Sequence, residues 1–73
     1  MTTYYVRNRH EAAIVAHIAR ELGARTSVRD IYQYDRYLIN IASRLFGPRP
    51  EHVTFVQRAH AAIRCHRDGE AAI

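Results

Sequence analysis

The sequence predicts an all-α domain of three helices behind an extended N-terminal arm, on three observations. Apolar residues recur at three- and four-residue spacing through most of the chain beyond residue 8. The periodic runs open on helix-start residues (Asn8, Ser27, Pro50) and close on glycines (Gly23, Gly47, Gly69). Only residues 2–7 (TTYYVR) have the β-branched and aromatic character of a strand, and six residues cannot make a sheet alone. The 73 residues read as one domain: arm 1–7, helices over about 8–22, 27–46 and 50–67, and a frayed tail 68–73.

The arm alternates, with Tyr4 and Val6 on one side and Tyr5 and Arg7 on the other. Such a strand needs either a copy of itself across a dimer axis or helices to lie upon. The first helix begins at Asn8, whose side chain suits an N-cap, with Glu11 at the N3 position of a capping box. Ile14, Val15, Ile18, Ala19 and Leu22 gather on one face, while Ala13, His17 and Arg20 look outward. Gly23 can take the left-handed conformation that ends a helix, and His17 can pair with Glu21 one turn on.

Ser27 to Phe46 (SVRDIYQYDRYLINIASRLF) is the longest helical pattern and carries three of the five tyrosines. Wound as one helix, it gathers Ile31, Tyr34, Tyr37, Leu38, Ile41 and Leu45 with Ala42, Val28, Ile39, Phe46 and Tyr32. That arc covers roughly 220°, against the ~100° that a surface helix needs. Neighbours on two or three sides are implied, and with them a homodimer through this helix. Asp35 falls inside the arc, so it is expected to meet an Arg, a His or a Tyr hydroxyl, or to lie at a wet edge. The opposite face reads Arg29, Gln33, Arg36, Asn40 and Arg44, one stripe about 22 Å long at the rise of a helix.

Gly47-Pro48-Arg49-Pro50 ends that helix, and Pro50 and Glu51 suit the first turn of the next. Val56, Ala59 and Ile63 form its expected core stripe, flanked by Val53, Phe55 and Ala62. Gly69 is expected to terminate it.

Composition narrows the function. All eleven basic residues are Arg, against seven acidic ones, for a net charge of +4. Without Lys there is no Schiff-base or Lys-base chemistry, and the positive excess is modest for a dedicated nucleic-acid binder. A single cysteine, Cys65, rules out an intramolecular disulfide and reads as half-buried and structural. A domain this small buries only about 60% of its unfolded surface, so a partner subunit would help its stability. No run reaches the ~18 apolar residues of a membrane span, and no signal-peptide core precedes the arm, so a cytoplasmic location is expected. The five histidines lack metal-ligand spacing: His60 and His66 lie on different helix faces, and His10 and His17 are two turns apart. Cys65 and His66 diverge as adjacent helix residues and make no catalytic pair. No phosphate-binding loop occurs. Neither a metal nor another cofactor is expected, nor enzymatic activity.

Two DNA-binding patterns resemble parts of the chain. Residues 18–23 (IARELG) look like the middle of a helix-turn-helix, which then wants apolar residues where Arg29 and Tyr32 stand. The order strand, helix, helix is similar to a ribbon-helix-helix repressor, which implies that Thr3, Tyr5 and Arg7 face bases. That likeness rests on element order and on the ELG before the second helix, and neither pattern covers enough of the chain to identify a family.

The expected function is non-enzymatic binding of another protein, as a regulator or inhibitor of the kind that phages and other mobile elements encode. Tyr and Arg dominate binding hot spots, so Tyr32, Tyr34, Tyr37 and Arg36 are the first candidates for partner contact, with Tyr4 and Tyr5 behind them. The alternative is a small dimeric DNA-binding regulator that uses Arg29, Gln33, Arg36, Asn40 and Arg44, with Arg7 from the arm. Open-ended assembly into a larger structure is a third expectation.

Overall fold

The computed structural model describes residues 4–71, apart from the side chains of Tyr34 and Ala71. Expectations on Thr2, Thr3 and the last two residues lie outside that range. Within it the chain forms four helices: α1 (Arg9–Glu21), α2 (Val28–Tyr34), α3 (Leu38–Phe46) and α4 (Glu51–Ala71).

α1 follows its sequence signals closely. Asn8 accepts the Glu11 amide at 3.0 Å, and the helix ends in a Schellman motif. Gly23 has φ +96°, its amide donates to Arg20 O, and the Ala24 amide donates to Ala19 O. The buried face holds Val15, Ile18 and Ala19 as expected, and also Ala12 and Ala16. His17 Nε2 lies 3.3 Å from Glu21.

The single helix expected over 27–46 is broken. Ser27 caps α2 by accepting the Asp30 amide at 3.2 Å, but Asp35 is extended (φ −155°, ψ 144°) and α3 starts only at Leu38. Three backbone groups that a continuous helix would bond along its axis are bonded sideways instead. The Tyr37 amide donates to Asp35 Oδ1 at 3.0 Å. Arg36 O accepts from the Val6 amide at 2.7 Å, and the Leu38 amide donates to Tyr4 O at 3.1 Å. The arm therefore finds its strand partner within the same chain, as one antiparallel bridge between Tyr5 and Tyr37.

The break lets one stretch serve two packing layers. α2 packs on α1, α3 packs on α4, and α1 and α4 pack on each other. α3 buries Leu38, Ile41, Ala42 and Phe46, while Ile39 remains 41% exposed. This is the i, i+3, i+4, i+8 stripe of an ordinary surface helix. The 220° arc was the sum of two narrower stripes aimed in different directions. Much of its breadth, the basis of the homodimer expectation, is taken up by packing within the chain, while Ile39 and Tyr37 stay exposed.

α4 departs from its expected register and end. Phe55, Ala59 and Ile63 are fully buried, Val56 is only partly so, and Val53 is 58% exposed. Phe55 wins the position because its ring meets Phe46, with centroids 5.2 Å apart. The helix passes through Gly69 instead of stopping there. Arg7 Nη2 donates to Glu70 at 3.0 Å, and His66 Nε2 lies 3.0 Å from the same carboxylate. Cys65 is exposed, not half-buried. No helix among the described residues is long and apolar enough to cross a membrane.

Candidate functional site

The most constrained polar group in the fold is Glu11, which is fully buried. Its carboxylate accepts from Arg67 Nε at 2.8 Å and Arg67 Nη2 at 2.9 Å. It also accepts from the Arg7 amide at 2.8 Å and Arg7 Nε at 3.1 Å. The Arg67 hydrogen bonds, helped by those of Arg7, outweigh desolvation and hold the Glu11 carboxyl down at about 2. The same contact raises Arg67 above its ordinary value. Arg67 Nη2 further donates to Tyr5 O at 2.6 Å, and its guanidinium lies 4.8 Å from the Tyr4 ring centroid. Tyr4 in turn stacks on His60 at 3.9 Å. One charged cluster thus ties the arm, the start of α1 and the end of α4 together. From its local spacing Glu11 reads only as a capping residue. Its buried pairing with a residue 56 positions away carries no local signal.

The anchored arm builds a second cluster at the α2–α3 break. Tyr5 sits edge-on to Tyr37 with centroids 5.0 Å apart. The Arg36 guanidinium lies 3.9 Å from the Tyr32 centroid and 5.8 Å from that of Tyr5. Tyr5 is 43% and Tyr37 47% exposed. A concavity runs across Tyr5, Tyr32, Arg36 and Tyr37 and reaches Gln33, Asp35 and Asn40. Beside it lies a second one, lined by Arg9, Val28, Arg29, Tyr32, Gln33 and Arg36.

Of the expected partner-binding residues, Tyr5, Tyr32, Arg36 and Tyr37 are brought together. Tyr4 is half-buried in the His60–Arg67 stack, a structural position. The side chain of Tyr34 lies outside the described residues. The polar stripe is divided. Arg29, Gln33 and Arg36 share one surface, Asn40 stands at the edge of the neighbouring concavity, and Arg44 lines a third with Arg25, Asp30 and Asp35. The bend at residues 35–37 removes the straight axis on which a 22 Å stripe depends. Arg7 is engaged by Glu11 and Glu70. Asp35 turns the chain by accepting the Tyr37 amide, at a partly exposed edge. Arg9 joins the site without having been singled out, although an arginine in the first turn of a helix runs against the dipole and could have marked it.

No three His, Cys, Asp or Glu side chains among the described residues gather as metal ligands would. Comparison of the chain with protein-family models, with curated proteins and with solved structures finds no significant match.

Proposed function

We propose that this protein is a non-enzymatic, protein-binding regulator or inhibitor that meets its partner at the α2–α3 break. The observation that supports this reading is the Tyr5–Tyr32–Arg36–Tyr37 cluster. Its four side chains are in mutual contact, Tyr5 and Tyr37 half-exposed and Tyr32 and Arg36 partly buried, so little rotamer entropy is lost when a partner covers them. Tyr and Arg are also the residue types that carry most binding energy in interfaces.

The test is capture of the partner by the intact chain from cells that encode it, with nuclease present. Retention is expected with wild type and loss with Tyr37→Ser, whose exposed ring can be removed without opening the core. Capture that disappears on nuclease treatment overturns the reading. A second copy of the chain is a candidate partner, distinguished by sedimentation of the purified protein.

The DNA-binding alternative draws on one observation, the three guanidiniums of Arg9, Arg29 and Arg36 on a common concavity. Phosphate contacts weaken steeply between about 50 and 200 mM salt. A gel shift on random duplex at low salt, abolished by Arg36→Ala and Arg44→Ala but untouched by Tyr37→Ala, would establish DNA binding in place of protein binding.

A further inference from the structure

Resting on the protein-binding reading, we infer that the concavity beside the tyrosine cluster takes an acidic segment of the partner, a short run of carboxylates. Arg9 from α1, Arg29 from α2 and Arg36 from the break converge there around Tyr32, with no acidic side chain in the lining. Two of these guanidiniums flank one ring, Arg36 at 3.9 Å and Arg9 at 5.9 Å from its centroid. Three arginines elsewhere are neutralised within the fold. Arg7 and Arg67 share Glu11, and Arg58 meets Glu21 at 3.1 Å. Among the described residues no carboxylate forms an ion pair with Arg9, Arg29 or Arg36. Three gathered like charges repel one another, and their ring contacts offset that only in part.

Arg9 adds an independent sign. It is the first residue of α1, where the helix dipole disfavours a cation. The fold gains no ion pair from it there. Its contact with the Tyr32 ring, at 5.9 Å from the centroid, offsets that cost only in part, and a local rule broken with so small a gain inside the fold points to a role outside it. An anionic partner supplies the missing charge, and guanidiniums pair bidentately with carboxylates.

Carboxylates fit better than a nucleic-acid backbone because the basic surface is compact. The bend that gathers Arg9, Arg29 and Arg36 carries Arg44 to a concavity also lined by Asp30 and Asp35. A groove tracking phosphates needs an extended basic path, which the bend interrupts. Tyr5 and Tyr37, at the adjoining edge, offer apolar area to residues flanking the acidic run.

The experiment is fluorescence anisotropy of the full chain with a short labelled peptide of Glu, Asp and Ser. Its Gln/Asn/Ser analogue and a short DNA duplex serve as parallel probes. The acidic peptide is expected to bind and the neutral analogue not to. Arg9→Gln and Arg29→Gln should each weaken binding about tenfold, the scale of one partly desolvated charge pair. Arg64→Gln changes net charge equally on an exposed position of α4 and should leave binding unaltered. Thermal unfolding of Arg9→Gln should be unchanged or shifted upward, which separates lost binding from lost folding. Equal weakening by Arg64→Gln overturns the inference, since binding then follows net charge alone. So does tighter binding of the duplex, which favours nucleic acid. Failure of the acidic peptide to bind, while Tyr37-dependent capture of a partner persists, removes the acidic segment and leaves the protein-binding reading standing.

Discussion

Replacing Glu11 with Gln removes a charge from the one fully buried ionisable side chain in the described core, without changing its shape. The carboxyl sits at about 2 in the folded chain against an ordinary 4.5. That difference corresponds to about 3 kcal/mol of stability at neutral pH. The sign follows from the depressed folded pKa: the contribution is complete above the unfolded value and is lost as pH falls from about 5 towards 2. In the variant, one acceptor oxygen becomes an amide that confronts the guanidinium of Arg67 or Arg7. Breaking a buried pair in this way costs about 3–5 kcal/mol, comparable to the whole stability of a domain this small. Urea unfolding followed by far-UV circular dichroism across that pH range is the assay. Wild type should lose stability steadily with acid, and Glu11→Gln should be largely unfolded at neutral pH. Arg7→Gln removes only a half-exposed donor, so it should fold while its acid transition moves to higher pH. A wild-type midpoint that stays constant between about pH 5 and 3, or a Glu11→Gln cost below about 1 kcal/mol, would refute the reasoning.

The remaining predictions concern backbone and packing. Gly23→Ala should cost about 1 kcal/mol in chemical denaturation, since φ +96° strains any L side chain although its Cβ would meet nothing within 4 Å. Phe55→Ala should cost about 3–5 kcal/mol and Val53→Ala close to nothing, because the first ring is fully buried and the second side chain is 58% exposed. Equal effects would mean that α4 packs in another register. Asp35→Ala should cost about 1 kcal/mol by freeing the Tyr37 amide, with no gain in helical circular dichroism, because the arm still holds Arg36 O and the Leu38 amide. A rise in helicity would mean that local propensity, not the arm, decides the break.

What the sequence determined by itself was local. The Asn8 and Ser27 caps, the Gly23 stop, the inward face of α1 and the helical character of nearly every segment are set by residues within one or two turns of each other. The tyrosine and arginine candidates at positions 5, 32, 36 and 37 were visible as residue types, but not as one surface. Tertiary structure decided whatever depended on distant partners. The helical pattern over 27–46 carries no Pro or Gly, and the arm, reached across some thirty residues of chain, supplies two of the three hydrogen bonds that make an extended turn at 35–37 cheaper than another helical turn, the Asp35 side chain supplying the third. Glu11 likewise became the centre of the charged cluster only when α4 delivered Arg67 to it. The break then bends the polar stripe, divides the apolar arc between two packing layers and gathers the aromatic surface. Hydrogen-bond satisfaction between segments far apart in the chain is invisible to periodicity, and here it overrides a helical pattern that local reading leaves unbroken.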